Sequence, residues 1–429
     1  MTPPERSARR VHPAWIVLTA ITVCMGASSG LRAVFGIYIK PIEAELGWTR
    51  GALSGVAALS LLLLGATGPL AGRLADRWGA RRVTVVALML LGAGAVGASA
   101  AHALWQAYLT TGVLIGIGSG GIGLATGSVI AARWFETRRG LAIGIAAGGM
   151  SAGQLIIIPL ATLLMVWLGW RASFSWLGVG LLLIVLPLGL WLIRNDPVDR
   201  GERAYGATGP ALSAAQLAAA RTAGRVGVFE AAQHPQFWLL AVTSFVCGYT
   251  SVGLILTHFV PHALEHNFSQ LEASTALAIM GSMNVAGTLA SGWLCDRFGR
   301  RGPLATYYLI RGFSLVFLLY VWNAPSLHLW AAIFGLNWVS TVPPTTTLTA
   351  SIFGRYSVGE LSGWIFFAHQ VGAALSAATA GWIYEISGSY GPAFLSAALL
   401  AMLAAALTLL IRDEPITTRP MAAAPASAM

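Results

Sequence analysis

The sequence is short of charge. Only 10% of its 429 residues are Asp, Glu, Lys or Arg, whereas 56% are hydrophobic. Soluble domains carry about 25% charged residues, enough to hydrate a closed surface. This chain has too few, so most of its surface faces something other than water. Cysteine is scarce too: Cys24, Cys247 and Cys295 lie in or beside apolar stretches, without metal-ligand spacing or a disulfide framework, and read as small apolar residues. Lysine is almost absent, with Lys40 standing against 25 arginines, and the 16 acids all avoid the middles of the apolar runs. Nucleophile elbows, zinc spacings and paired carboxylates are missing, which argues against an enzyme and against any metal or cofactor. Charged rings and filter loops, which a channel needs, are missing as well. The formal charge of +10 sits in short loops rather than in an aromatic-interleaved patch, so no nucleic-acid partner is implied.

What the chain does have is apolar runs of about 20 residues, the length a helix needs to cross a bilayer core. They fall at 14–39, 51–74, 83–104, 106–132, 140–168, 172–193, 236–262, 272–295, 303–322, 327–352, 360–385 and 389–411. The sequence therefore predicts an all-α polytopic membrane protein with twelve transmembrane helices. A six-helix half over 1–193 and a second over 236–412 are joined by a central loop over 194–235, and a disordered tail covers 413–429. The Ala-rich middle of the loop, 211–223, reads as a solvated linker or a short interfacial helix. With the N-terminus inside, 21 of the 26 basic residues fall in cytoplasmic segments; Lys40, Arg50 and Arg171 fall outside, and Arg32 and Arg311 lie within spans. That asymmetry places both termini in the cytoplasm. The first run exceeds the about 7–15 residues of a cleaved signal and is expected to stay as span 1.

Two segments repeat. Gly72-Arg73-Leu74-Ala75-Asp76-Arg77-Trp78-Gly79-Ala80-Arg81-Arg82 follows span 2, and Gly292-Trp293-Leu294-Cys295-Asp296-Arg297-Phe298-Gly299-Arg300-Arg301 follows span 8, at an offset of 220 residues. A self-match across equal halves implies duplicated, pseudo-symmetric six-helix units, an arrangement used by transporters with the substrate near the midplane between the repeats. The residue types suit a gate. Gly72 and Gly292 let helices approach closely. Asp76 and Asp296, at helix ends, can pair with Arg77, Arg81, Arg82, Arg297, Arg300 and Arg301 or meet the positive N-terminus of a neighbouring helix. Gly79 and Gly299 complete the motif. Exposed ion pairs contribute only about 0–1 kcal/mol each, weak enough for a latch that opens. The other reading is a static loop that merely carries the positive charge.

The doubled motif is similar to the pattern G-x-L-x-D-R-x-G-x-R-R that the major facilitator superfamily carries between spans 2 and 3, and the resemblance covers all twelve spans. A second stretch resembles the monocarboxylate-transporter branch: Arg133-Trp134-Phe135-Glu136-Thr137-Arg138-Arg139-Gly140-Leu141-Ala142-Ile143-Gly144, then Gly169-Trp170-Arg171-Ala172-Ser173-Phe174. The resemblance implies the major facilitator fold, with halves that rock around a cavity lined by spans 1, 4, 7, 10 and 11. It also implies uptake or exchange of small organic anions, coupled to protons or a counter-anion. The chain departs from that branch at three places. Val11-His12-Pro13-Ala14-Trp15 replaces an acidic signature at the start of span 1. Thr288 and Asn284 stand where span 8 usually carries an arginine and an aspartate one turn earlier. His369 and Gln370 stand where oxalate-exchanging relatives use a lysine in span 11.

Ionisable residues inside spans cost about 2.5–3.5 kcal/mol on insertion scales and mark function by default. Arg32 lies about 27 Å beyond Ala14 along span 1 at 1.5 Å per residue. The preceding Gly26-Ala27-Ser28-Ser29-Gly30-Leu31 looks loosely built and able to bend toward a cavity. The branch keeps a substrate-linked lysine in this part of span 1, and a guanidinium fork suits a carboxylate, so Arg32 is the favoured anion ligand; the other reading is an arginine snorkelling to the outer interface. Arg311, in a span the superfamily usually keeps peripheral, is expected to snorkel or to pair with a neighbour. With no mid-span acid, His258 and His369 are the candidates to carry a coupling proton, or else simple hydrogen-bonded links between helices. His369, Gln370, Asn337, Asn284 and Tyr249 complete the candidate substrate-binding set. The prolines of Thr341-Val342-Pro343-Pro344-Thr345-Thr346 should break span 10 and leave carbonyls facing protein or a cavity. The expected protein is a monomeric secondary transporter of the cell (inner) membrane. It would move a small organic anion, a monocarboxylate, by proton symport or anion exchange. A proton-driven exporter of drugs or hydrophobic metabolites is the rival reading.

Overall fold

The computed structural model describes residues 12–208, 216, 219 and 224–415. The expected interfacial helix at 211–223 falls almost entirely outside these residues, as does the tail from 416, so neither is described. Twelve membrane helices run through the described chain: α1 Pro13–Leu46, α2 Arg50–Trp78, α3 Ala80–Ser99 and α4 Leu104–Trp134; α5 and α6, which together span Arg139–Leu192; then α7 Pro235–Glu265, α8 Gln270–Phe298, α9 Arg301–Leu318, α10 in two pieces (Ala324–Asn337 and Val342–Phe353), α11 Val358–Ser387 and α12 Gly391–Leu409. Eight helical segments are long and apolar enough by composition to cross a membrane. One of them, Arg139–Leu192, turns at Gly169 and so supplies both α5 and α6. Gly169 has φ +81°, a left-handed value that costs glycine little and any β-carbon much. The break in α10 leaves pieces of 14 and 12 residues, each too short to span alone.

The first six helices share one apolar core, from Ala14 to Ile193. The last six pack around two further clusters, one running from Leu254 to Ala398 and the other from Val226 to Ile411. The stretch between them is pinned at both ends. Tyr205 exchanges backbone bonds with Trp134 and Glu136, and Val226 N–H donates to Ser357 Oγ at 2.7 Å. Large apolar side chains cover the outside, and exposed tryptophans ring both ends of the bundle: Trp78, Trp191 and Trp238 at one, Trp105, Trp167, Trp322 and Trp382 at the other. Amphipathic indoles settle at the two membrane–water boundaries.

The glycine-rich start of the Arg32 region differs from expectation. It is a tight seam, not a loose bend. Gly26 and Gly30 of α1 face Gly149 and Gly153 of α5, and a β-carbon on Gly153 would lie 2.1 Å from the Gly26 carbonyl oxygen. In lipid, where apolar surface gives no drive between helices, such small residues let backbones touch. The helix is interrupted later, at Val34.

Candidate substrate cavity and gate

His12 and Asp413, at and near the two ends of the described chain, lie at one end of the bundle. His12 packs on Tyr205, and Asp413 receives a 2.8 Å bond from Arg300. The two repeated motifs gather at this basic face, and their aspartates do the same thing twice. Asp76 accepts from the backbone N–H of Gly359 (3.2 Å) and Glu360 (2.8 Å), the first turn of α11. Asp296 accepts from Gly140 (2.7 Å) and Leu141 (2.8 Å), the first turn of α5. Each carboxylate thus crosses from one half to the other and satisfies orphan donors at the positive end of a helix. The motif glycines make that approach possible. A β-carbon on Gly72 would lie 1.9 Å from the Gly359 carbonyl oxygen, and one on Gly292 would lie 2.4 Å from that of Gly140. Gly79 and Gly299, at φ +93° and +81°, end α2 and α8.

The arginines of the motif do not pair with these aspartates. Arg77 and Arg82 are exposed, and Arg297 lies over the rings of Trp293 and Phe298. Arg81 takes Asn195 Oδ1 through its backbone N–H at 3.0 Å, while Arg300 and Arg301 hold the segment at Ile411 and Asp413. The buried cation beside Asp76 is Arg133, which donates to the Asp76 backbone carbonyl at 2.8 Å and to Asp196 Oδ2 at 3.3 Å. Arg355 and Glu136 add an exposed bridge between the halves at 3.2 Å.

Farther into the membrane the halves stay in contact. Gly65 of α2 sits against Gln370 of α11, and Asn284 of α8 donates to Ser151 Oγ of α5 at 2.8 Å. Within the second half, with Leu124 of α4 as its one lining residue from the first half, lies a cavity of about 50 Å³. Its wall is built from α4, α7, α9, α10 and α11, with Cys247, Thr341, Thr345, Thr346, Ser362 and His369 among its polar groups. The Ser362 hydroxyl is buried without a partner.

His369 is therefore on the cavity wall, stacked on Phe366, with Nδ1 3.0 Å from Gln370 Oε1. Arg32 is half-buried in α1, its guanidinium makes no hydrogen bond or ion pair among the described residues, and it is not one of the residues lining the cavity. Other candidates are spoken for. His258 Nε2 lies 3.0 Å from the Ala377 carbonyl of α11, and Tyr249 Oη lies 2.9 Å from Thr379 Oγ1. Asn337 donates its amide N–H to the Tyr307 carbonyl and accepts from Arg311 at Oδ1. These side chains tie helices together, and none of the three is among the residues lining the cavity.

Of the two readings of Arg311, the structure shows pairing with neighbours. It does not snorkel but is fully buried, and it donates to Asn337 Oδ1 (3.2 Å), to the Asn337 and Trp338 carbonyls (2.7 Å each) and to Cys247 Sγ (2.9 Å). The reason is the break in α10. Pro343 and Pro344 sit in the first turn of the second piece, where their missing N–H groups cost nothing. The carbonyls just before the break have lost their helical donors, and a five-donor guanidinium replaces them. Val339 N–H goes to Asn284 Oδ1 at 3.1 Å, and the Ser340 carbonyl takes the Ser291 hydroxyl. Cys247 is likewise more than apolar filler, since it touches both Arg311 and Thr341. Sequence reasoning missed Ser151, Ser362 and this partnership because single hydroxyls and a lone thiol give no motif. The prolines were the signal that a buried donor had to be nearby.

Comparison with known proteins decides the family. The model of the Major Facilitator Superfamily matches residues 18–377. The chain belongs to that superfamily. It is a multi-pass membrane transporter, not an enzyme. A superfamily relative in Bacillus subtilis, the uncharacterized MFS-type transporter YcxA, is 26% identical over 392 residues, covering 88% of this chain and 90% of its own. Monocarboxylate transporter 11 of Mus musculus is 28% identical over 395 residues, covering 89% of this chain and 83% of its own. Among solved structures, the proton:xylose symporter XylE superposes with a TM-score of 0.73 at 18% identity, over 94% of this chain and 97% of that one. The human organic anion transporter MFSD10 gives 0.70 at 15% identity, over 93% and 100%. At such identities these two show the shared superfamily fold.

Proposed function

We propose that this superfamily member carries a small organic anion, a monocarboxylate, by alternating access in the cell membrane, with both termini in the cytoplasm. The observation that carries the reading is Arg32, a half-buried cation in a membrane helix with no anionic partner among the described residues. An intramembrane charge left open in this way favours a ligand that brings the opposite charge. A guanidinium fork fits a carboxylate in two parallel bonds. The names of the monocarboxylate-transporter relatives support the same class. His369, on the cavity wall, is the group that takes up a coupled proton when symport rather than exchange operates. His258, tied to a backbone carbonyl, serves helix packing.

The gate reading follows from the paired aspartates. By the excess of cytoplasmic arginine the basic face is the cytoplasmic one, so the structure is the state closed toward the cytoplasm. Releasing Asp76 and Asp296 from α11 and α5 is the step that opens it.

The test is thermal stabilisation of the purified protein by short carboxylates, aromatic acids and cationic drugs at two pH values. A ligand at 100 times its Kd adds about 2.7 kcal/mol. Stabilisation by carboxylates that Arg32→Gln abolishes is the expected result. Stabilisation by cationic or neutral hydrophobic compounds alone would overturn the anion reading in favour of an exporter.

A further inference from the structure

Asn284 holds a position that no side-chain-by-side-chain reading of the cavity explains. It is buried in α8, two helical turns from Gly292, and its amide faces two ways. The Nδ2 group donates to Ser151 in the opposite half, and the Oδ1 atom accepts from Val339 in the broken segment of α10. The orientation is forced, because a backbone N–H only donates and must face the oxygen. Val339 has no helical substitute: the Gly335 carbonyl, its acceptor in an unbroken helix, takes the N–H of Trp338 instead. Without Asn284 the Val339 donor would be unpaired in a half-buried place inside the membrane, a state proteins avoid. The broken segment leads directly into Thr341, which lines the cavity and touches Cys247.

The duplication shows that this bridge is particular to one side. Gly140 and Gly359, and Gly144 and Gly363, occupy matching contacts at an offset of 219 residues, and Thr288 matches Gly68 at 220. By the same registers Ser151 corresponds to Gln370 and Asn284 to Leu64. The mirror-image contact therefore has no amide-to-hydroxyl bond at Leu64, and the α2–α11 seam closes on Gly65 against the aliphatic part of Gln370.

We propose that Asn284 is a positioning residue that transmits closure of the two halves to the cavity wall: Ser151 holds its amide while the basic face is shut, and the amide holds Val339 and the break in α10. When the halves part at that face, Ser151 is withdrawn, the amide is free to turn, and the Val339–Thr341 segment loses its anchor. The proposal rests on the alternating-access reading but not on the identity of the substrate.

Cys247 reports on it. The other two cysteines are also buried, and mass spectrometry distinguishes all three, so the alkylation rate of Cys247 by N-ethylmaleimide is measured in the full chain without substrate. Asn284→Ala and Ser151→Ala should each raise that rate about tenfold, the change given by a 1.4 kcal/mol shift in an opening equilibrium. The double variant should be no faster than the faster single, because the two side chains act as one bridge. Ser151→Thr, which keeps the hydroxyl that accepts from Asn284, should restore the slow rate. Wild-type alkylation in Ser151→Ala would overturn the proposal, as would additive effects in the double variant. Ser151 is a half-buried serine, so its alanine variant is expected to fold even if Asn284→Ala does not. An effect here beside a failed carboxylate panel would refute the anion and leave the bridge standing.

Discussion

The latch makes a quantitative prediction through Asp76→Asn. The substitution keeps shape and volume but removes the charge, and only one oxygen remains for the two N–H groups of Gly359 and Glu360. One hydrogen bond to a charged group is lost, at about 1.5–3 kcal/mol. The attraction between carboxylate and helix N-terminus goes with it, at about 0.3–1 kcal/mol. The bond from Arg133 is unaffected, because it goes to the Asp76 backbone carbonyl. The closed state should therefore lose about 2–4 kcal/mol, which shifts the closed-to-open ratio by roughly 30- to 700-fold at 1.4 kcal/mol per factor of ten. Spin labels at Trp78→Cys and Phe298→Cys, two exposed positions at the ends of α2 and α8, report the separation of the halves. The native cysteines are buried and should stay unlabelled. Asp76→Asn should move most of the population to a longer distance. Asp296→Asn should do so less, because Asp296 is exposed and solvent screens its bonds while Asp76 is buried. Glu136→Gln, which breaks a solvent-exposed bridge, should change the distribution little, since such pairs contribute about 0–1 kcal/mol. An unchanged distribution in Asp76→Asn, or a larger effect from Asp296→Asn, would refute the reasoning.

Two further outcomes follow from the same contacts. Gly72→Ala places a methyl group 1.9 Å from the Gly359 carbonyl oxygen, so the same label pair should report the open distance even with both aspartates intact, whereas Gly281→Ala, which meets nothing within 4 Å, should leave it unchanged. Arg311→Met strands the Asn337 and Trp338 carbonyls, and at about 1–3 kcal/mol for each buried group left unpaired the melting temperature should fall sharply; a variant that melts with wild type would show that the break in α10 does not depend on the guanidinium.

The fold was legible because it is written in bulk properties. Charge scarcity, run length and arginine asymmetry need no knowledge of which residue touches which. The latch was half legible. Its residues repeat at a fixed offset, but the partner was not in the motif. Asp76 and Asp296 sit beside arginines in sequence and choose helix N-termini in space, because Gly72 and Gly292 bring those N-termini within reach. The cavity was the least legible part. Asn337, Asn284 and Arg311 each look like ligand candidates or strays when read singly along a helix. Their roles follow from one event, the break in α10, which leaves carbonyls without helical donors and the Val339 N–H without its helical acceptor. A guanidinium from α9 donates to the Asn337 and Trp338 carbonyls, and the Asn284 oxygen from α8 accepts from Val339. The physical rule is that a polar group in a membrane helix is first a candidate to repair the backbone near it, and only what is left over is free for a substrate. Applied along this chain, the rule removes Asn337, Asn284 and His258 from the proposed ligand set; Tyr249 is held instead by the Thr379 hydroxyl, and Arg32, His369 and Gln370 stay as proposed ligands, with the unpartnered Ser362 hydroxyl added by the structure.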